Sequence, residues 1–337
     1  MTTDALVRGI LAGEAMSPST QDFRIRLLPP KRLARMEVLH RFAREHETTT
    51  LERPYAHSSP PGALHPGAGE AIEWFAFTAR LVRAAETAGS PGPIHEGWQR
   101  LSLAEGVHAR IGTRIALGNL RRGLQPPQSG HDNPHYFDDI AMARAAAVAF
   151  LEGPDDEALR LIVADSEVTH DLDGVWCAAA TAVLVRRLLA GDDRIVATDA
   201  ALEALPSESW SRRLAELARE TAEGATSALD RSERLGRVVG DWVYSYPIAA
   251  PETLAFLLAH VRHAESANEL LLGALSTGRA GATLAALAGG CAAVIFGEAW
   301  IPERLTAATA ELTGLAVPES AGATVADALA EAAHVGN

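Results

Sequence analysis

Sixty-five of the 337 residues are alanine, and no other property of this chain narrows its fold so far. Alanine loses the least on entering a helix, whereas strands are filled by β-branched and aromatic side chains. Aromatic residues make up only 5% of the chain, and no alternating β-branched run stands out. The helical period is explicit in several segments. Ile72, Phe75, Ala79 and Val82 fall on one face, as do Leu254, Leu257, Leu258 and Val261, and again Leu284, Leu287, Ala288, Cys291 and Ile295. Between Gly174 and Leu189, Trp176, Ala180, Val183 and Leu184 share one side, while Ala178 and Ala179 spread the apolar surface almost all round; that predicts a central helix. The chain therefore reads as all-α, a single compact multi-helix domain over residues 1–337, with 47% hydrophobic residues to fill its core.

Helix stops are expected at Gly153-Pro154, Gly191-Asp192, Gly224, Gly314 and Pro318. Three stretches rich in Pro, Gly, Ser and His, namely Pro54–Gly69, Gly89–Pro93 and Gln125–Pro134, are expected to be long loops at one end of the domain. A net charge of −13 argues against nucleic acid or an anionic membrane as partner, because either demands a basic stripe. No stretch reaches the roughly 18 apolar residues of a membrane span. Asp4, Arg8 and Glu14 interrupt what would have to be the apolar core of a signal peptide, so a cytoplasmic protein is expected. Cys177 and Cys291 lie apart in Ala-rich runs and read as buried thiols of a reducing compartment.

The densest polar run is Ser129-Gly-His-Asp-Asn-Pro-His-Tyr-Phe-Asp-Asp139, followed by Arg144 on an Ala-rich helix. Its carboxylates, histidines and asparagine are groups that bind a metal, a phosphate or a sugar. Asp138 and Asp139 also stand where a helix N-terminus welcomes negative charge, so an exposed loop with an acidic N-cap is the plainer reading of the run taken alone. Val168-Thr-His-Asp-Leu-Asp173 precedes the central helix: either Asp171 or Asp173 caps it, or His170 projects into a site at helix ends. Glu70 and Glu73 open another helix, where their charge is again favourable near the dipole. His260 and His263 have a chelating spacing, but no third ligand accompanies them and Leu257 and Val261 mark the neighbouring face as core.

Set together, several of these segments resemble the ADP-ribosylglycohydrolase family. The C-terminal stretch from Leu275 through Gly278, Thr283 and Gly297, then Ile301-Pro302-Glu303-Arg304, is similar to the family's metal helix, which opens Gly-Asp-x-Asp-Thr and ends in Gly followed by Ile-Pro. Arg8-Gly-Ile-Leu-Ala-Gly-Glu14-Ala resembles the family's first helix with its Gly-Asp. Asp139 to Arg144 resembles an Asn-Gly-x-x-Met-Arg segment, and Thr169-His170 with the Ala-rich helix to Gly191 adds a further match. The resemblance implies an all-α fold whose cleft holds two magnesium ions on the ribose of ADP-ribose, and hydrolysis at the anomeric carbon. An oxocarbenium-like transition state needs carboxylates for proton transfer and a cation to orient the diol.

The same resemblance places the family's two metal-binding aspartates on Ala280 and Ala282, leaving Thr283, and its Thr-Asp-Asp-Thr run on Gly67-Ala-Gly-Glu70. A methyl group cannot ligate magnesium, which takes oxygen donors. The magnesium pair, and any other cofactor, is therefore expected to be absent. Two functions remain in view. One is a diverged hydrolase of a ribosyl bond in an ADP-ribosyl, nucleotide or nucleoside substrate, working without metal and therefore insensitive to chelators. Its catalytic candidates are Glu70, Glu73, Asp138 and Asp139, and its substrate-binding candidates are Arg144, Thr169, His170 and Thr283. The other is a pseudoenzyme that keeps the cleft as a ribonucleotide-binding module. Glu70, Asp139, Arg144, Thr169 and His170 are expected to line one cleft.

Overall fold

The computed structural model describes residues 3–17, 69–240, 248–277, 281–303, 305, 306, 308 and 310–334. Among them lie fifteen α-helices and no strand, and the fold is 70% helical. In chain order these are α1 (Thr3–Met16), α2 (Glu70–Ala88), α3 (Gly92–Leu103), α4 (Ile111–Arg121), α5 (Gln128–His131), α6 (Ile140–Ala145), α7 (Asp155–Ser166) and α8 (Leu172–Ala190). There follow α9 (Arg194–Glu203), α10 (Trp210–Ala222), α11 (Ala228–Val238), α12 (Ala250–His263), α13 (Ala267–Ser276), α14 (Ala282–Phe296) and α15 (Val325–His334). No helix among the described residues is long and apolar enough to cross a membrane.

The amphipathic faces read from the period are the core. Ile72, Phe75, Ala79 and Val82 are fully buried, and so are Leu254, Leu257 and Val261. Helix α14 departs from the expected one-sided face, because every residue from Thr283 to Val294 is buried and only its ends, Ala282, Ile295 and Phe296, are partly open. Its second side is made of alanine and glycine, which carry little signal in a hydrophobic period yet let another backbone come close. That backbone is α1: a Cβ on Gly13 would stand 2.1 Å from the Ala285 carbonyl oxygen, and one on Gly9 would stand 2.3 Å from that of Gly289. Helix α8 starts at Leu172, and of the two caps offered by the sequence Asp171 is the one formed, its carboxylate accepting from the Leu172 N–H at 2.8 Å. Its sealed side holds Cys177, Ala178, Thr181, Leu184 and Val185, whereas Trp176 and Val183 are only half-buried.

Two of the expected long loops are shorter. Gly89 closes α2 in the left-handed conformation, φ 63°, and α3 resumes at Gly92, so Gly89–Pro93 is a tight turn. Gln125–Pro134 contains the single turn of α5. Pro54–Gly69, apart from Gly69, lies outside the described residues, as do Ala280 and Arg304. Both cysteines are buried free thiols, and burial pushes the Cys291 thiol up to about 12 and Cys177 higher still.

Candidate functional site

The polar run before α6 is pinned on three sides. Asp138 and Ala249 form an isolated antiparallel bridge, with the Asp139 N–H donating to Ile248 at 2.9 Å and the Ala250 N–H to Phe137 at 2.8 Å. The Asn133 amide donates to the carbonyls of Thr169 (2.8 Å) and Gly112 (3.1 Å), and the Ser129 hydroxyl to that of Val168 (2.8 Å). The two polar segments that stand apart in sequence, Ser129–Asp139 and Val168–Asp173, are thereby clasped together. Much of their polarity serves this clasp.

At the first turn of α2, a buried carboxylate from α1 does the work of a cap. Gly69 has no side chain to offer, and Glu14 accepts the N–H groups of Gly69 (3.2 Å), Ala71 (2.7 Å) and Ile72 (3.0 Å). A Cβ on Gly69 would lie 2.5 Å from the Glu14 carboxylate, so glycine is required by that close approach. Burial pushes Glu14 up to about 7, against the pull of the three N–H groups.

The helix start so fixed presents Glu70 to Arg110, the residue just before α4. The guanidinium Nε donates to Glu70 Oε1 at 2.7 Å, Nη2 to the Thr283 hydroxyl at 3.2 Å, and Nη1 to Asp139 Oδ1. Asp139 is completely enclosed: Thr283 donates to its Oδ1 at 2.8 Å and Thr253 to its Oδ2 at 2.7 Å. Burial alone would lower the Arg110 pKa, but Glu70, Asp139 and Asp138 raise it well above the ordinary value. The Glu70 side chain is 26% exposed, the Arg110 side chain 9% and that of Asp139 not at all. Glu70 is thus the open edge of this cluster.

A second, sealed network begins at the neighbouring residue. Asp138 Oδ1 accepts from the Ile140 N–H (3.0 Å) and faces His170 Nε2 (3.1 Å). Burial pushes the Asp138 carboxyl up, yet His170 and Arg110 outweigh it and hold the group below its ordinary range. His170 Nδ1 meets the Thr169 hydroxyl at 2.7 Å, and that hydroxyl takes a bond from Arg144 Nη2 at 2.8 Å. Arg144 is paired with Asp165 at 2.8 Å and stacked on Trp98, whose indole N–H donates to the same carboxylate at 2.8 Å. Every member from Asp138 to Trp98 is at most 1% exposed.

Glu73 belongs to neither network. Its carboxylate accepts from the Thr313 hydroxyl (2.7 Å) and from the N–H groups of Leu315 (3.2 Å), Ala316 (2.6 Å) and Val317 (3.2 Å), anchoring the C-terminal segment. Of the candidates read from the sequence, Glu70, Asp139 and Thr283 meet at Arg110, while Asp138, Thr169, His170 and Arg144 form the adjacent sealed chain. They are continuous through Asp138-Asp139, but they do not line one open cleft: only Glu70 among them is more than 3% exposed. A cavity of about 1020 Å³ lies elsewhere, between the starts of α11 and α13 and beside Trp300. Sequence reasoning missed Arg110, Thr253 and Asp165. One signal was available for Arg110, because a helix start is normally capped by Ser, Thr, Asp or Asn rather than by arginine.

The magnesium pair implied by the family resemblance can be tested against these donors. Ala282, the first residue of α14, offers only a methyl group, and Ala280 lies outside the described residues. Both Asp139 oxygens and one Glu70 oxygen already receive hydrogen bonds, and the cation receiving the two carboxylates is Arg110. These described residues do not fit a divalent ion, which would have to share its oxygens with a guanidinium of the same sign.

The sequence profile of the ADP-ribosylglycohydrolase family matches residues 12–336, nearly the whole chain. No curated protein matches it.

Proposed function

The chain belongs to the ADP-ribosylglycohydrolase family, and from that premise we propose that it binds the ribosyl part of an ADP-ribosyl or nucleoside ligand at the Glu70–Arg110 edge without hydrolysing it. One observation carries this choice over hydrolysis. Cleavage of a glycosidic bond ordinarily takes two carboxyl groups flanking the bond, one as acid and one as base or nucleophile. Of the four carboxylates in view only Glu70 reaches solvent, while Glu73, Asp138 and Asp139 are at most 1% exposed and hydrogen-bonded within the protein. Glu70 therefore stands at the edge without a second exposed carboxyl group among these four to share acid and base roles. It is well suited to accept hydrogen bonds from ribose hydroxyls, since both Arg110 contacts fall on its Oε1.

That Oε2, which accepts no hydrogen bond among the described residues, is also what favours the second reading, in which Glu70 alone activates a water against a ribosyl bond with a good leaving group. Turnover separates the two. The protein is incubated with ADP-ribosylated arginine peptide, NAD and a panel of nucleosides, with and without EDTA, and free ribosyl product is followed by chromatography. The binding reading expects no product above a Glu70→Gln control. Product that survives EDTA and vanishes in Glu70→Gln establishes the hydrolase instead.

A further inference from the structure

We infer that Arg110 is the resident cation of this site: its guanidinium occupies the centre on which the oxygen donors converge, and it closes that centre to divalent metal. The proposal deepens the ribosyl-binding reading, and rests on it only for the direction from which a ligand comes. Three segments far apart in sequence supply oxygens to one point: Glu70 from the start of α2, Asp139 from before α6, and Thr283 from the first turn of α14. Two carboxylates and a hydroxyl drawn together in this way are oxygen donors of the kind that a hard cation takes.

The occupant is built in. Arg110 extends from the residue before α4, where it gives its own helix no side-chain cap, and its guanidinium meets all three donors at once. A guanidinium is always charged and presents its N–H groups in a rigid fork, so it can hold two carboxylates at fixed angles as a spherical ion can. The surrounding hydrogen bonds are arranged for it. Thr283 accepts from Arg110 and donates its own O–H to Asp139, and Thr253 donates to the remaining Asp139 oxygen. Asp139 therefore has no oxygen turned outward for a metal, and it is not exposed at all. The nearby Asp138 meets His170 and the Ile140 N–H through Oδ1, while its buried Oδ2 has no hydrogen-bond partner among the described residues.

Removing the guanidinium should expose what it replaces. Mn²⁺, a paramagnetic substitute for Mg²⁺, is titrated into the full chain and the free ion is followed by electron paramagnetic resonance, a readout that needs neither a ribosyl ligand nor activity. The wild type is expected to leave millimolar Mn²⁺ free. Arg110→Ala is expected to take up one ion per chain at least roughly tenfold more tightly than the wild type, and Glu70→Gln in that background should abolish the gain. Arg110→Lys, which keeps a cation, should behave as the wild type. If Arg110→Ala does not fold, Arg110→Gln, which keeps bulk without charge, takes its place. Wild-type binding that is lost in Glu70→Gln overturns the proposal, and so does a folded, uncharged variant that binds Mn²⁺ no better than the wild type. Absence of ribosyl binding with the metal results as expected would overturn the ribosyl-binding reading and leave Arg110 in its role.

Discussion

The two polar networks that meet at Asp138-Asp139 are made from the same residue types and serve different ends. On one side an arginine, two carboxylates and two threonines form a cluster with an edge in solvent, Glu70 being 26% exposed. On the other, Arg144, Asp165, Thr169, His170 and Asp138 are enclosed by α2, α3 and α8 and touch no solvent beyond 1%. A buried ion pair adds little over an apolar core, but breaking one leaves a charge stranded. The sealed network is thus a structural commitment, whereas the open cluster keeps one carboxylate available to something outside the protein.

The largest expected effect is on the sealed side. Arg144→Ala strands the Asp165 carboxylate against Trp98 and should cost about 3–5 kcal/mol of stability in urea unfolding. A loss comparable to that of an exposed ion pair would mean that the network is not sealed, and the contrast between the two sides would fail.

Next in size is a pH dependence set by Glu14, which anchors the helix that carries Glu70. Its folded pKa of about 7 lies above the ordinary 4.5, so the folded chain holds a proton that the unfolded chain has already released. This contribution is fully present below pH 4.5 and lost as pH rises through about 7. At 1.36 kcal/mol per unit the loss amounts to about 3 kcal/mol, and Glu14→Gln should flatten it in melts run between pH 5 and pH 8. Asp138 has the opposite sign: its lowered pKa gives stability present above the ordinary carboxylate range and lost as pH falls through the lowered value. A wild-type slope unchanged in Glu14→Gln would remove Glu14 from the description of the open side.

The smallest effect is expected at Ala282. It is half-buried at the start of α14, where a helix N-terminus favours negative charge, so Ala282→Asp should alter stability by about 1 kcal/mol or less. While Arg110 remains, the variant should show no Mg²⁺-dependent rise in melting temperature. A clear rise would show that a carboxylate beside Thr283 can recruit metal in spite of the guanidinium.

Much of the helical core was legible because leucine, isoleucine and phenylalanine announce a buried face by their spacing, as Ile72, Phe75 and Val82 do. The contact between α1 and α14 was not, since Gly9, Gly13 and Gly289 bring two backbones together by what they lack. At the site, clusters of carboxylates were visible in the sequence but their assignments were not. Glu73 looks like Glu70 until the N–H groups of Leu315 to Val317 are found on it, more than 240 residues away. Arg110 stands among residues with no motif, and beyond its unusual place before a helix its meaning comes from partners contributed by three other segments.

Calorimetric titration of ADP-ribose into the protein in the presence of EDTA, for the wild type and for Glu70→Gln, bears most directly on the open edge as the place where this chain meets its ligand. Glu70→Gln should keep the wild-type melting temperature to within a few degrees, about the effect of a partly exposed ion pair. Saturable binding by the wild type, weakened at least about tenfold in Glu70→Gln, is the predicted result. Binding that EDTA abolishes, or that Glu70→Gln leaves unchanged, would contradict it.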